Sequence, residues 1–194
     1  MGKTTRICIG LPTCGSVKTK TVFSILRMLK FSDFDFDIVT KESSILHWNR
    51  EHIVKQAIEA GCSHVLFIDS DMFFEADAVE RLLKRDKDII GVPYNLRQIE
   101  PTSTLKNTDE QGNKIWEETQ DGLLKCAAVG AGFLLIKTSV FQKLKEPWFF
   151  WETNELGEVV TGEDSWFCRL AREAGFEIYA DMMIKVGHIG DFIF

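Results

Sequence analysis

The sequence predicts an α/β fold, a single domain built on a mixed, mainly parallel sheet that is flanked by helices. Three observations lead to this prediction. Short apolar runs alternate with segments of helical periodicity over the first 94 residues, as in repeated strand–helix–strand units. A chain of 194 residues is long enough for one substantial core and short for two. The sequence also contains no internal repeat and no linker-like tract.

The elements of the first half follow in order. Strands are predicted at 6–11, 36–40, 64–68 and 88–92 from short apolar runs. A helix over 20–30 should bury one face, formed by Val22, Ile25, Leu26 and Leu29. A second helix over 45–60 is stopped by Gly61. A third, over 75–84, opens with acidic residues that suit its positive end.

The pattern changes after residue 94. Residues 95–128 contain strand-like pieces around a polar turn at 109–113, which predicts a hairpin. An apolar strand at 131–137, a short helix at 138–144, a clear helix within 162–175 and a strand at 176–180 follow. The polar, glycine-bearing segment 154–162 is typical of a loop that becomes ordered when a ligand binds.

The composition limits partners and compartment. A net charge of −6 provides no overall basic field for nucleic acid or an anionic membrane, so it disfavours both. No apolar run reaches the length of a membrane span or of a signal peptide. The five cysteines are odd in number and match no zinc or redox spacing. We therefore expect reduced thiols and a cytoplasmic protein.

The most informative segment is the predicted strand 64–68 and the Asp69-Ser70-Asp71 that follows it. Burial of two carboxylates in a sheet is costly, so they should emerge at the strand's carboxyl end, where open α/β sheets bind ligands. Side chains at i and i+2 of an extended chain point the same way, so Asp69 and Asp71 can converge on one cation. Oxygen ligands of this kind suit Mg²⁺ or Mn²⁺. A solvated turn or a helix cap is the alternative interpretation of the bare motif.

Four further segments, spread over nearly the whole chain, resemble segments of a known family. They are Ile7-Cys8-Ile9-Gly10-Leu11-Pro12-Thr13, Ala128-Val129-Gly130-Ala131-Gly132-Phe133-Leu134-Leu135-Ile136, Gly162-Glu163-Asp164-Ser165-Trp166-Phe167-Cys168 and Val186-Gly187-His188-Ile189-Gly190. With the DXD motif of Asp69 and Asp71, their order and spacing resemble the GT-A fold glycosyltransferases that use nucleotide sugars, particularly small bacterial and viral members.

The resemblance implies an activity and a ligand set. The expected reaction transfers a sugar from a nucleotide-diphosphate donor of the UDP or GDP type to the hydroxyl of a carbohydrate or another acceptor. Asp69 and Asp71 would hold Mn²⁺ or Mg²⁺, and the resemblance adds His188 as a third ligand. The single domain, 1–194, would then divide into a nucleotide- and metal-binding half, 1–94, and an acceptor-side half, 95–194.

The expected donor contacts come from several segments. Pro12, Thr13 and Lys18 belong to the loop after the first strand, and Ser70 lies within the metal motif. Gly130 and Gly132 would allow a close approach to the sugar, although a bulge or tight turn explains them equally well. Related enzymes carry an Arg-Asn pair that faces the nucleotide; here the order is Asn49 then Arg50, and we assign Arg50. Arg97 would reach phosphate or acceptor unless it is a solvated loop arginine.

The expected catalytic residues open the helix within 162–175. Transfer with inversion needs a base for the acceptor hydroxyl, and Asp164 is the candidate, with Glu163 as a contact to the acceptor. Acidic residues are also favoured at a helix start for purely structural reasons. If the reaction retains configuration, Asp164 is not a base.

An aromatic run and two rival functions complete the expectations. Within Trp148-Phe149-Phe150-Trp151, the indoles Trp148 and Trp151 are candidates for stacking on an acceptor sugar, and a core or dimer contact is the alternative. A nucleotidyltransferase of similar fold is disfavoured, because the first loop has only Gly15 where such enzymes are glycine-rich. A non-catalytic nucleotide-sugar-binding module would keep the metal carboxylates without needing Asp164.

Overall fold

The computed structural model describes residues 5–96 and 102–190 of the chain. The strands in this part are Arg6–Thr13 (β1), Asp35–Glu42 (β2), His64–Ile68 (β3), Met72–Phe74 (β4), Ile89–Gly91 (β5), Trp116–Glu118 (β6), Leu123–Cys126 (β7), Phe133–Lys137 (β8), Glu152–Thr153 (β9), Val159–Thr161 (β10), Ile178–Asp181 (β11) and Val186–His188 (β12). The helices are Thr19–Phe31 (α1), Leu46–Glu59 (α2), Ala78–Lys84 (α3), Thr138–Phe141 (α4) and Glu163–Glu173 (α5).

Eight strands form the main sheet in the order β2-β1-β3-β8-β5-β11-β7-β6. The pairs β1–β2, β1–β3 and β5–β11 are parallel, whereas β8 runs antiparallel to both of its neighbours. The strands β4 and β12, and likewise β9 and β10, form two separate two-stranded sheets. This arrangement confirms the predicted α/β class and the mixed, mainly parallel sheet.

The core lies on both faces of this sheet because its central strands alternate their side chains. Val65 and Phe67 of β3 pack on one face with residues of α2, α4 and α5, and Leu66 and Ile68 pack on the other with α1 and α3. All four side chains are fully buried. The near-continuous apolar run of β3 is thus explained by a strand that is covered on both sides.

The buried face of α1 differs from the predicted one. Ile25 is buried as expected, but Val22 and Leu26 are 40% and 53% exposed. The helix instead turns two hydroxyls inward: Thr21 donates to the Ser70 carbonyl, and the Phe74 amide donates to Ser24. These hydrogen bonds satisfy backbone groups around β4, a strand that the sequence did not reveal, and they fix the rotation of the helix.

The chain contains more short strands than predicted, most of them in the second half. The predicted polar turn at 109–113 is present; Asp109 closes it, and an antiparallel bridge between Thr108 and Lys114 flanks it. A second hairpin, formed by β6 and β7, turns at 119–122. Short β4, β12, β9 and β10 were not predicted, since strands of two or three residues carry no readable periodicity. The predicted loop 154–162 is largely the β9–β10 hairpin. Among the described residues, no helix has the length and apolar character needed to span a bilayer.

Candidate active site

One pocket of about 350 Å³ opens at the carboxyl ends of β1 and β3. Because these strands are parallel neighbours, the loops that follow them meet at the same edge of the sheet. Segments that are distant in sequence supply the rest of the wall. The lining residues are Pro12, Thr13, Cys14, Ser16, Leu46, Asn49, Asp69, Ser70, Asp71, Tyr94, Leu96 and His188. Six of the predicted site residues therefore share one pocket: Pro12, Thr13, Asp69, Ser70, Asp71 and His188.

Asp71 and His188 are in contact across this pocket. The small sheet of β4 and β12 pairs His188 with Met72, and the Ile189 amide donates to the Asp71 carbonyl. The His188 Nε2 atom consequently lies 3.3 Å from Asp71 Oδ1. On the other side of the ring, Nδ1 lies 3.2 Å from the Asn95 carbonyl oxygen. A carbonyl only accepts, so Nδ1 donates to it, and Nε2 is the nitrogen directed at the carboxylate.

This pair fits a divalent cation in its donor chemistry. A carboxylate oxygen and an imidazole nitrogen, with the second nitrogen held by a backbone carbonyl, form a common metal-ligand arrangement. Over residues 5–96 and 102–190, however, no group of three or more His, Cys, Asp or Glu side chains is arranged to hold a metal ion. The three-ligand set predicted from the sequence is therefore not assembled in the described residues, and Asp69 is the member that is paired with an arginine.

Asp69 is engaged by Arg50 of α2. The guanidinium donates to Asp69 Oδ1 at 2.8 Å and to the Ala131 carbonyl at 3.3 Å, and it lies over the Phe67 ring. Its Nε is 3.5 Å from Glu163 Oε1. Burial alone would lower the pKa of Arg50, but the charges of Asp69 and Glu163 outweigh it and raise that pKa. Only 1% of the Arg50 side chain is exposed, and Arg50 faces these carboxylates rather than the pocket. The sequence had instead predicted a direct contact between Arg50 and the donor.

The two predicted sugar-facing glycines pack against Tyr94 instead. A Cβ on Gly132 would lie 2.5 Å from the Tyr94 hydroxyl, and one on Gly130 would lie 2.9 Å from it. The Gly132 amide donates to that hydroxyl, and the Gly132 carbonyl accepts from the Asp69 amide. Close packing inside the protein thus accounts for both glycines in this structure.

The loop after β1 is fixed by Thr13. Its hydroxyl accepts from the Gly15 and Ser16 amides and donates to the Ser16 carbonyl. The Lys18 amide donates to the Ser70 carbonyl, which ties this loop to the metal motif. The structure thus brings Lys18 beside the motif through its backbone, although Lys18 is not among the residues that line the pocket.

Asn49 is a pocket residue that sequence reasoning did not select. Its Nδ2 donates to the carbonyls of Ser43 and Thr13, at 2.9 and 3.4 Å. In the described part of the chain its Oδ1 is buried without a hydrogen-bond partner. A buried acceptor of this kind beside a pocket is a candidate contact for a ligand N–H group. The Asn-Arg dipeptide was noticed in the sequence, but only the fold shows that Asn49, and not Arg50, lines the pocket.

Glu163 and Asp164 open α5 as predicted, and their environments differ. Glu163 is 8% exposed; it pairs with Arg50 and accepts a hydrogen bond from Trp151 Nε1 at 2.8 Å. The Ser165 amide donates to Asp164 Oδ1. Burial, followed by the charge of Glu163, raises the pKa of Asp164. Burial raises the pKa of the pocket residue Tyr94, and the charges of Asp69 and Asp164 raise it further. Asp164 itself is not among the residues that line the pocket.

The aromatic run divides between core and surface. Trp148 is 5% exposed and packs on Phe141, so it does not face an acceptor in this conformation. The core alternative therefore describes Trp148. Trp151 is half-buried and donates a hydrogen bond to Glu163.

The remaining predicted residue, Arg97, lies outside the described residues, and its assignment stays a prediction. Tyr94, which touches both glycines and the His188 ring, had no sequence signal beyond its place after a strand.

Comparisons with known proteins identify the fold alone. No protein-family model matches the chain, and no curated protein matches it. Among solved structures, A197 from STIV has a TM-score of 0.67 at 22% identity, with 96% of this chain and 86% of that chain covered. GalNAc-T7, solved with UDP, GalNAc and Mn²⁺, has a TM-score of 0.54 at 10% identity, with 99% and 45% covered.

A third structure, S. aureus TarS residues 1–349, has a TM-score of 0.54 at 14% identity, with 94% of this chain and 60% of that chain covered. A complex of the same fragment with UDP-GlcNAc has a TM-score of 0.51 at 13% identity. This chain thus spans about half of the GalNAc-T7 and TarS chains. These similarities show a GT-A-like fold, which agrees with the sheet described above.

Proposed function

We propose that this protein is a metal-dependent glycosyltransferase that moves a sugar from a nucleotide-diphosphate donor to an acceptor hydroxyl, with inversion. The observation that supports it most is the contact between Asp71 and His188 in a pocket whose other walls come from the loop after β1 and from α2. Function does not follow from fold, and this pairing of a carboxylate with an imidazole is a chemical reason, independent of the fold neighbours.

Asp71 and His188 would hold the cation, which is Mn²⁺ or Mg²⁺. When bound, such a cation supplies positive charge that stabilises a diphosphate leaving group. Asp69 stays fixed on Arg50 and contributes its remaining oxygen to the donor side of the pocket. The roles of Asp69, Asp71 and His188 thus differ from the equal three-ligand set expected from the sequence.

The loop that contains Pro12 and Thr13, together with Asn49, would hold the nucleotide. Asn49 Oδ1 would accept one N–H of the base, since it is buried without a partner in the described residues. The Ser70 carbonyl, through Lys18 and Thr21, keeps this loop and α1 in register with the metal motif. The donor would therefore lie between the first loop and residues 69–71.

Asp164 would act as the base. Its carboxylate accepts the proton of the acceptor hydroxyl while the acceptor oxygen bonds to the anomeric carbon and the nucleotide diphosphate departs. A raised pKa suits this role, because a stronger base accepts a proton more readily. Glu163, held between Arg50 and Trp151, would position the start of α5 rather than react.

A donor screen tests the proposal. The protein is incubated with common UDP- and GDP-sugars and with Mn²⁺ or Mg²⁺, and nucleotide release is measured with and without excess chelator. Metal-dependent release from one donor is the expected result. Binding of a donor without any release would favour the binding module, and release of pyrophosphate from a nucleoside triphosphate and a sugar phosphate would favour the nucleotidyltransferase.

A further inference from the structure

Five aromatic rings from three segments form a continuous surface beside the pocket. His47 and Trp48 come from the first turn of α2, Phe150 and Trp151 from the segment before β9, and Trp166 from α5. The His47 ring centroid lies 5.1 Å from that of Trp151, 6.1 Å from Phe150 and 6.2 Å from Trp48. Phe150 and Trp166 are 5.2 Å apart. We refer to these five residues as the aromatic surface.

The aromatic surface is open to a ligand. Trp48 is 62% exposed and Phe150 is 41% exposed, although burial of such rings normally contributes much to stability. Trp151 and Trp166 are half-buried. Exposed aromatic side chains that touch one another and gather from three segments indicate a binding surface more than scattered single residues would.

Contacts connect this surface to the catalytic machinery. Trp151 donates its indole N–H to Glu163, which pairs with Arg50, which in turn holds Asp69. Along α2, Leu46 and Asn49 line the donor pocket, while His47 and Trp48, between them in sequence, belong to the aromatic surface. The same turn of α2 therefore contributes to both regions from different sides of the helix, and the candidate base Asp164 follows Glu163 directly.

We propose that the aromatic surface binds the acceptor and that the acceptor is a saccharide; this inference rests on the proposed function. Sugar rings carry apolar C–H faces that lie flat on aromatic rings, and hydroxyls at their edges that need polar partners. Polar groups are interleaved here: His47 Nδ1 is buried without a partner in the described residues, and Arg169 lies over Trp166 while it pairs with Glu152. This mixture of aromatic ring faces and polar groups suits a saccharide, which presents both kinds of surface.

Fluorine NMR tests the proposal directly. The chain has five tryptophans, so the protein labelled with 5-fluorotryptophan gives five signals, which single Trp→Phe variants assign. The probes are methyl β-glucoside, methyl β-galactoside, methyl α-mannoside, N-acetylglucosamine and cellobiose. We expect at least one of them to shift the Trp48 and Trp151 signals. Trp116, 40% exposed on β6 at the far edge of the sheet, should not shift.

Matched variants give the magnitude. Trp48→Ala should weaken binding of that saccharide about tenfold or more, as removal of an exposed aromatic anchor does. Trp116→Ala should bind it as the wild type does. Trp151→Phe keeps an aromatic ring but removes the hydrogen bond to Glu163, so its melting temperature is measured beside its saccharide affinity.

The other outcomes are distinguishable. If no probe shifts Trp48 or Trp151 while the wild type releases nucleotide from a donor, the aromatic surface is not the acceptor site and the proposed function stands. If saccharides bind and no nucleotide sugar binds or turns over, the glycosyltransferase proposal fails instead. If sedimentation shows a dimer that Trp48→Ala converts to a monomer, the surface is an interface between copies, which overturns the saccharide assignment.

Discussion

Arg50 and Asp69 form an ion pair in which the guanidinium is almost completely buried and the carboxylate is partly exposed. The distance is 2.8 Å, and the exposed side-chain fractions are 1% and 24%. The same guanidinium reaches Glu163 at 3.5 Å. One cation thus joins the segment that follows β3 to the start of α5, which are the two segments that carry the candidate metal ligand and the candidate base.

Replacement of Arg50 should therefore destabilise the whole site. Arg50→Met leaves two carboxylates without their cation, and loss of one partner of a buried pair costs about 3–5 kcal/mol. Because Asp69 is partly exposed, we expect the lower part of this range in the free energy of unfolding from urea denaturation. Arg27→Met, at an exposed position of α1, is the control and should change stability by less than about 0.5 kcal/mol. Equal effects of the two variants would contradict the central role of Arg50.

Metal-dependent nucleotide binding should depend on Asp71 and His188. Asp71→Ala removes the carboxylate of the pair, so calorimetry should show no gain in UDP or GDP affinity on addition of Mn²⁺. His188→Ala should retain part of that gain, since the Asp71 carboxylate remains. The exposed Asp33, on the loop after α1, provides a control in Asp33→Ala, which should bind as the wild type does. An unchanged manganese effect in Asp71→Ala would rule out this residue as a ligand.

Asp164→Asn should slow transfer without loss of donor binding. A general base contributes about 10²–10⁴-fold to the rate, and asparagine keeps the size and the hydrogen bond from the Ser165 amide. The measurements are kcat for transfer and donor affinity by calorimetry. A purely structural role would leave kcat almost unchanged, and that result would remove Asp164 from the mechanism.

The pH dependence follows from the raised pKa of Asp164. A base acts only when it is deprotonated, so kcat/KM should fall with decreasing pH at a value above 3.8, the ordinary pKa of an aspartic acid. The folded state binds this proton more tightly than the unfolded state, so between these two pKa values the contribution of Asp164 to stability decreases as pH rises. At pH 7 Asp164→Asn should consequently not lower the melting temperature. A lower melting temperature would show that the carboxylate is stabilising.

Cys14 should be the fast-reacting thiol of the native protein, and nucleotide should protect it. Burial raises the pKa of Cys8, Cys126 and Cys168 to about 12, and thiols react as thiolates. Cys14 is exposed and lines the donor pocket. Reaction with a chromogenic disulfide should therefore show one fast phase, which Cys14→Ser abolishes and which UDP or GDP with Mn²⁺ slows. An unchanged rate at a saturating nucleotide concentration would place the nucleotide elsewhere.

The sequence by itself determined the α/β class, the central strand and the place of the candidate carboxylates. A short apolar run such as 65–68 between polar residues is typical of a strand that is buried on both faces. Burial of the two aspartates directly after it would be costly, which places them where the strand leaves the core. The start of α5 at Glu163 was readable for a similar local reason, because acidic residues favour the positive end of a helix.

Only the tertiary structure decided what each of these residues contacts. Arg50 was expected at the donor and lies between Asp69 and Glu163; Trp148 was expected at the acceptor and lies in the core; Tyr94 had no signal and packs on Gly132. Short strands such as β12, which brings His188 to Asp71, have no periodicity to read. These contacts join residues far apart in the chain, and their energies come from packing and charge pairing across elements, which local sequence patterns do not encode.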